Sequence, residues 1–253
     1  MAALARWGLA ARATIYLLIG VLALALARGT RSGETDQRGA MQELTRHTGG
    51  TLLVAVIGIG LAGYALWRLS EAAFGVVGEG KKAGPRVRSF ARAVIYAFFA
   101  VTAFKIVSQG SSNSQAGQQE LWTGKAMQHQ GGRWAVGVVG AVVVICGLVL
   151  VWEGVRRKFE KYLDLGRMSP RIRKTVEFLG VVGSISRGVV FALAGALVIS
   201  AAVNYDPDKA RGLDRALREL ADTSSGPWLL GAVAVGLIMF GVYGFAEAKW
   251  RRT

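Results

Sequence analysis

Long apolar stretches alternate with polar stretches along the whole chain, and six of the apolar stretches are about 20 residues long. An α-helix rises about 1.5 Å per residue, so about 20 residues cross the roughly 30 Å hydrocarbon core of a bilayer. The apolar runs are continuous rather than alternating, which favours helices over the strands of a membrane β-barrel. The pattern therefore predicts membrane-spanning helices over residues 7–27, 51–70, 89–107, 134–152, 178–203 and 227–246.

The second, fourth and sixth of these stretches follow one motif. Each opens on a glycine, continues as an apolar run and reaches a glutamate 21 positions later, over residues 50–71, 132–153 and 226–247. The odd-numbered stretches share an arginine that is followed four residues later by an aromatic residue. The chain is therefore predicted to be an all-α integral membrane protein of three parallel two-helix repeats, residues 1–80, 81–165 and 166–253, with pseudo-threefold symmetry.

The basic residues are distributed unevenly between the two sides of the membrane that this topology defines. Of the 31 Lys and Arg residues, 20 fall on the side that holds both termini, and the formal net charges of the two sides are +13 and +2. The positive-inside rule then predicts that both termini are cytoplasmic, with anionic lipids as partners on that side. The overall charge of +15 lies beside apolar spans, so we expect no nucleic-acid partner.

Two charges recur near the terminal-side ends of the helices, an arginine on each odd helix and a glutamate on each even helix. A charge at membrane depth costs about 2.5–3.5 kcal/mol on insertion scales, so it tends to be paired or functional. We predict Arg–Glu pairs on the terminal side, which could fix helix packing, form a gate or ion path, or simply snorkel to the headgroups. The residues concerned are Arg12, Arg92, Arg187, Glu71, Glu153 and Glu247.

An aromatic residue lies four positions after each of these arginines, on the same helix face. Tyr16, Tyr96 and Phe191 could therefore stack beside a guanidinium, or they could belong to the general core.

Small residues in the even helices predict close helix packing. Gly58, Gly60 and Gly63 match the spacing G-x-G-x-x-G, but no strand or turn precedes them, so a dinucleotide site is not indicated. In a bilayer, small residues allow helix backbones to approach each other. Gly140 and Gly236, at related positions, are expected to do the same.

The loop over residues 153–177 carries apolar residues on one helical face and basic residues on the other. It could form an interfacial helix on anionic lipid or a solvated extension of the fourth helix. Its lipid-facing basic residues would be Arg156, Arg157, Lys158 and Lys161. The loops of the opposite side carry short helical patterns such as GLDRALRELAD, which are predicted to form caps on the helix ends.

No motif indicates catalysis, a metal or a cofactor. The two histidines, His47 and His129, lie outside the apolar spans, and neither a Walker A nor a G-x-S-x-G sequence is present. We therefore expect no cofactor, no metal site and no enzymatic activity.

Four segments of the repeats resemble the bacterial membrane family known as domain of unknown function 1206. They are ARATIYLLIGVLALA, GTLLVAVIGIGLAGYALWRLSEA, SRGVVFALAGAL and GPWLLGAVAVGLIMFGVYGFAEA. The second repeat departs most from this pattern, since Ala93 replaces the glycine after the arginine and Val149 stands where Trp67 and Tyr243 stand. The resemblance covers nearly the whole chain and implies the same six-helix fold, but it implies no activity.

Two functions follow from these observations as expectations. The favoured one is a non-catalytic scaffold or accessory subunit, with a membrane-protein partner or a second copy of the chain. The alternative is a small-solute or ion channel or transporter along the pseudo-threefold axis. A polar, water-wide axial cavity lined by Arg12, Arg92 and Arg187 would favour the alternative. A close-packed axis, with an exposed apolar patch or a bound partner, would favour the scaffold.

Overall fold

The computed structural model describes residues 2–30, 34–75, 83–109, 122–128, 131–204, 206, 209 and 212–251. Within these ranges the chain is helical, and residues 122–127 form a short helical segment. The longer helices are α1 (Ala2–Ala27), α2 (Gln37–Thr45), α3 (Gly50–Phe74), α4 (Ala83–Gln109), α5 (Gly132–Val155), α6 (Pro170–Asn204), α7 (Gly212–Ala221) and α8 (Gly226–Trp250).

Six helices are long and apolar enough to cross a membrane, namely α1, α3, α4, α5, α6 and α8. The six-helix prediction is confirmed, but the helices extend beyond the predicted spans. The largest extension is in α6, which begins at Pro170 rather than at 178. Its first turns carry arginine and lysine, which are good helix formers and are stable in the headgroup region. The helix therefore begins before the apolar pattern does.

The six spanning helices form an arc in the order α4, α3, α1, α8, α6, α5. In the first and third repeats the two helices of the repeat pack together, as α1 with α3 and α6 with α8. Each repeat also packs on the next, through α3 with α4, α5 with α6, and α8 with α1. Over the residues described, α4 and α5 do not pack along each other, so the second repeat leaves the arc open.

The bundle has two ends, which lie on opposite sides of the predicted membrane. The terminal side is the one where α1 begins and α8 ends, near Ala2 and Arg251. The cap side is the opposite one, where α2, residues 122–127 and α7 lie.

Glycines hold the helices close together where the sequence predicts it. A Cβ atom on Gly60 would lie 2.8 Å from the Ala11 side chain of α1, and one on Gly58 would lie 3.2 Å from Ala103 of α4. The other predicted glycines also lie at helix contacts, with Gly63 on Leu4 of α1, Gly140 on α6 and Gly236 on Ser186 of α6.

Two glycine pairs that face each other bring α5 close to α6. A Cβ on Gly147 would lie 2.7 Å from the carbonyl oxygen of Gly188, and the reverse distance is also 2.7 Å. Gly140 and Gly195 form the same arrangement at 2.9 and 2.8 Å. α5 therefore has one tightly fitted membrane-spanning partner, α6.

The α5–α6 loop does not form the predicted interfacial α-helix or an extension of α5. It contains two 3₁₀ turns, Lys158–Tyr162 and Leu165–Arg167. Its apolar residues face the bundle rather than lipid, because Leu163 is fully buried and the Phe159 ring packs edge-on against Tyr243 at 5.2 Å. Leu163 also forms a backbone bridge with Arg251 at the end of α8. This inward packing replaces the hydrophobic contact that an interfacial helix would have made with lipid.

Hydrogen bonds tie the caps to each other. Asp36 caps the N-terminus of α2 by accepting a hydrogen bond of 2.8 Å from the Gly39 backbone N–H. The backbone N–H of Thr35 donates to Asp214 of α7 at 2.8 Å, and Arg218 donates to the second oxygen of Asp214 at 2.9 Å. The caps of the first and third repeats are thus joined over the cap side of the bundle.

Candidate ligand site at the arginine layer

A cavity of about 670 Å³ lies inside the arc, between α4 and α5. Its walls are mainly apolar and come from α4, α5 and α6, and its cap-side end is bounded by Gln37, Leu213 and residues 122–126. The wall residues include Ile95, Phe99, Val136, Val139, Ala194 and Val198. Because the described parts of α4 and α5 do not pack along each other, the cavity is open on the side between these two helices.

Three arginines, one from each repeat, lie at the terminal-side end of this axial cavity. Arg12 of α1, Arg92 of α4 and Arg187 of α6 all line it. From Arg187 to Val198 near the cap side is eleven residues of helix, or about 16 Å of rise. The cavity is therefore elongated, with charge at one end and apolar side chains along the rest.

The predicted pairing of these arginines with the repeated glutamates is only partly observed. Arg12 Nη2 donates to Glu247 Oε2 at 2.6 Å, and both side chains are buried. By repeat symmetry Arg92 would meet Glu71 and Arg187 would meet Glu153. Neither contact exists, so the prediction of a pair in every repeat is wrong.

The two remaining glutamates bind other arginines. Glu71 accepts from Arg68 of the same helix at 2.6 Å and from Ser89 of α4 at 3.1 Å. Glu153 accepts from Arg88 at 3.2 Å in a largely exposed pair. Glu71 thus binds an arginine that is nearer to it in sequence than Arg92, and Glu153 binds an arginine that is nearer to the surface than Arg187.

Arg68 and Arg251 belong to the site, although neither is among the residues predicted from the sequence. Arg68 is buried, and its Nε and Nη2 donate to the Tyr64 hydroxyl at 3.0 and 2.7 Å. Arg251 is buried and donates to Glu247, four residues earlier on α8. Their positions in the sequence could have indicated them. Arg68 lies within the apolar Gly-to-Glu stretch, and Arg251 lies one helical turn after a repeated glutamate.

Of the three predicted arginine–aromatic contacts along a helix, one is observed among the described residues, between Arg187 and Phe191. The other cation–π contacts of Arg12 and Arg187 join different helices. The Arg187 guanidinium lies over the rings of Phe191, Tyr16 and Phe240 at 5.3, 5.2 and 5.0 Å. Such cation–π contacts offset part of the cost of placing a charge at membrane depth. Tyr96 does not stack on a guanidinium and instead packs edge-on against Tyr64 at 4.6 Å.

Arg92 and Arg187 have no carboxylate within salt-bridge distance among the described residues. The Nε atoms of Arg12, Arg187 and Arg251 are also buried, and they donate to no partner within the described chain. We name Arg12, Arg68, Arg92, Arg187 and Arg251 the arginine layer. Its donors exceed the acceptors that the surrounding side chains supply.

A second, smaller cavity of about 90 Å³ lies on the terminal side of the arginine layer. It shares Arg12, Arg92 and Arg187 with the axial cavity, so these side chains form the partition between the two spaces. We call this second space the vestibule. It is also lined by Lys158 and Lys161 of the α5–α6 loop.

The four basic residues predicted to face lipid therefore have different surroundings. Lys158 and Lys161 line the vestibule, and the Lys158 ammonium lies 3.6 Å from the centroid of the Trp152 ring. Arg156 also lies over Trp152, at 5.7 Å, and Arg157 forms a 3.6 Å ion pair with Glu177. Arg156 and Arg157 are exposed on the terminal side, where contact with lipid headgroups stays a prediction.

No group of three or more His, Cys, Asp or Glu side chains that could hold a metal ion occurs in the described part of the chain. The chemistry of the site is that of guanidinium and ammonium donors, which bind anions.

Comparison with known proteins agrees with the repeated architecture. Residues 7–75, 87–157 and 182–251 each match the family described as Domain of Unknown Function (DUF1206). The chain belongs to this family. The DUF1206 chain is also 33% identical over 250 residues to an "Uncharacterized protein YxxB" of Bacillus subtilis (strain 168), covering 97% of this chain and 90% of the relative. No solved structure matches it.

Proposed function

We propose that this multi-pass membrane protein binds an anionic amphiphile drawn from the bilayer. The apolar part of the ligand would lie in the axial cavity and its anionic head at the arginine layer. The observation that carries the proposal is the position of Arg12, Arg92 and Arg187 at one end of an apolar cavity of about 670 Å³. This volume lies within the roughly 300–1,000 Å³ typical of small-molecule sites.

Charge balance supports an anion at this position. A guanidinium at membrane depth is costly without a counter-charge, and Arg92 and Arg187 have no carboxylate among the described residues. An anionic head bound at the layer would supply both the missing charge and the missing acceptors. Each charge-assisted hydrogen bond so formed is roughly twice as strong as a neutral one.

The sideways opening supports a ligand that comes from lipid rather than from water. An apolar tail can move between the hydrocarbon core and the axial cavity without losing its apolar surroundings. We further propose that the terminal side is cytoplasmic in a bacterial inner membrane, because it holds 20 of the 31 Lys and Arg residues. A lipid of the inner leaflet then has the matching orientation, with its head toward the terminal side.

A scaffold or accessory subunit is the second candidate function. It is favoured by the arrangement of α4 and α5, since α4 packs on α3 and α5 on α6, and the opening between them would accept a helix of a partner or of a second copy. A solute or ion path gated by Arg–Glu pairs has less support. Arg12, Arg92 and Arg187 do line an axial cavity, but its walls are mainly apolar rather than polar, and two of the three pairs do not form. Neither candidate accounts for the uncompensated charge of the arginine layer as directly as an anionic ligand does.

The proposal is tested by native mass spectrometry of the full-length protein, extracted from its own membrane in a mild non-ionic detergent. We expect a bound anionic amphiphile on the wild type and its loss in the double variant Arg92→Gln/Arg187→Gln. The matched control is Arg88→Gln/Arg171→Gln, which removes two exposed arginines from the same two helices. Equal occupancy of a lipid in all three proteins, or a bound protein in place of a lipid, would refute the proposal.

A further inference from the structure

We propose that the ligand head is a phosphomonoester or a diphosphate rather than a carboxylate or a phosphodiester. This inference rests on the proposed function and specifies the chemical class of the ligand. It follows from the charge and the shape of the space on both sides of the arginine layer.

The vestibule carries more positive charge than a monoanion could balance. Among the residues described, seven cationic side chains and two carboxylates line it: Arg12, Arg68, Arg92, Lys158, Lys161, Arg187 and Arg251, with Glu153 and Glu247. Lys161 and Glu153 have partners of their own, Arg88 in the case of Glu153, so neither enters the charge balance. The six other cations are opposed by Glu247, by Glu71, which binds Arg68, and by Glu160 on the adjoining 3₁₀ turn, which leaves an excess of three positive charges. A carboxylate or a phosphodiester carries one negative charge and would leave two of them uncompensated.

A terminal phosphate matches this excess more closely. A phosphomonoester carries about −1.5 to −2 at neutral pH and has three strong acceptor oxygens. Those oxygens can engage several guanidiniums at once, because the planar arginine fork binds phosphate in a bidentate manner. The buried Nε atoms of Arg12, Arg187 and Arg251 are donors that such a head could satisfy.

The geometry places such a head between the two spaces. Arg12, Arg92 and Arg187 face the axial cavity on one side and the vestibule on the other. The vestibule volume of about 90 Å³ is several times the ~10–15 Å³ that one water molecule needs by the same measure. A compact phosphate fits there while the attached chain stays in the axial cavity, and the lysines of the α5–α6 loop then contact its outer oxygens.

The test compares two ligands with the same chain, dodecyl phosphate and dodecyl methyl phosphate. They differ by one methyl group, which removes the second negative charge. Affinities for the full-length protein are measured by competition in a non-ionic detergent, with dodecanoate and inorganic phosphate as further probes. We expect dodecyl phosphate to bind roughly tenfold more tightly than its methyl ester, since it can accept additional charge-assisted hydrogen bonds.

A double variant tests whether the lysines of the α5–α6 loop cause the preference for dodecyl phosphate over its methyl ester. Lys158→Gln/Lys161→Gln should reduce the ratio of the two affinities, because these lysines contact the outer phosphate oxygens that the methyl ester lacks as charged acceptors. Both lysines are on the surface loop, so the bundle should fold as before.

The outcomes separate the inference from the proposed function. If both esters bind equally and both need Arg92 and Arg187, the inference is refuted and the proposed function stands. If no dodecyl anion binds, or if binding is unchanged in Arg92→Gln/Arg187→Gln, the proposed function itself is refuted. Inorganic phosphate binding as tightly as dodecyl phosphate would overturn the proposed function, because the apolar chain would then contribute nothing to binding.

Discussion

Glu247 should be the most sensitive carboxylate of the protein, because it holds two buried arginines in place. It accepts from Arg12 of α1 at 2.6 Å and from Arg251 of its own helix. The side chains of Glu247 and Arg12 are each 9% exposed, and that of Arg251 is 5% exposed. The substitution Glu247→Gln keeps the shape and the hydrogen-bonding oxygen but removes the charge.

The repeat provides a matched control for this substitution. Glu153 occupies the same motif position in the second repeat, but its side chain is 29% exposed and its partner Arg88 is 55% exposed at 3.2 Å. Removing one partner of a buried ion pair costs about 3–5 kcal/mol, because the other charge is left uncompensated. An exposed pair contributes about 0–1 kcal/mol. Glu247→Gln should therefore destabilise the protein by several kcal/mol more than Glu153→Gln.

Thermal unfolding in detergent, followed by gel filtration of the remaining dispersed protein, measures this difference. For domains of about 150–250 residues, 1 kcal/mol shifts Tm by about 2–4 °C. We expect Glu247→Gln to lower Tm by about 6–20 °C and Glu153→Gln by about 4 °C or less. Equal shifts would refute the reasoning, since they would mean that burial does not set the strength of these pairs.

Three further predictions address packing, the cap and the opening. Gly147→Leu should destabilise the α5–α6 contact by about 1–3 kcal/mol of overpacking, measured by the same melt, whereas Gly231→Leu, with nothing within 4 Å of its added Cβ, should not. Burial raises the pKa of Asp36 from 3.8 to about 7, so the folded cap retains a proton that the unfolded chain has lost. Protection of α2 against hydrogen exchange should therefore be highest at low pH, fall as the pH rises from about 4 to about 7, and then level off. The variant Asp36→Asn should remove most of this pH dependence. Val139→Trp should obstruct the opening and lower amphiphile occupancy in native mass spectra, whereas Val138→Trp, exposed on the same helix but outside the cavity lining, should not.

The helices could be predicted from sequence because each one satisfies its own backbone hydrogen bonds in lipid. Hydropathy alone therefore located all six spans, and the glycines indicated where they pack. The lateral opening could not be predicted this way, because an exact repeat would pack α4 on α5 as α1 packs on α3. That difference depends on side-chain contacts between helices, which the hydropathy of a single helix does not contain.

A partial signal for the opening was present in the second repeat. Trp67 lies under the Arg68 and Arg251 guanidiniums at 4.4 and 4.9 Å, and Tyr243 packs on Phe159. At the corresponding position the second repeat has Val149, which is 44% exposed. The loss of the large aromatic residue accompanies the loss of the inward contact, so the departure from the repeat pattern marked the helix that faces the opening.

The arginine pairing failed for a related reason. Repeat symmetry treats the three arginines alike, yet Arg68 occurs in one repeat only, and it takes the glutamate that Arg92 would have bound. Sequence spacing gives the depth of each charge, but competition between nearby arginines is decided by side-chain geometry. The resulting excess of positive charge is the feature from which the ligand proposal follows.

An experimental structure of the protein, extracted with its surrounding lipid in a polymer-bounded disc, tests the central claim most directly. We predict elongated density between α4 and α5, with a compact head within hydrogen-bonding distance of Arg92 and Arg187 and a chain running past Val139. An axial cavity that holds no ligand density, or one filled by a helix of another protein, would contradict the account.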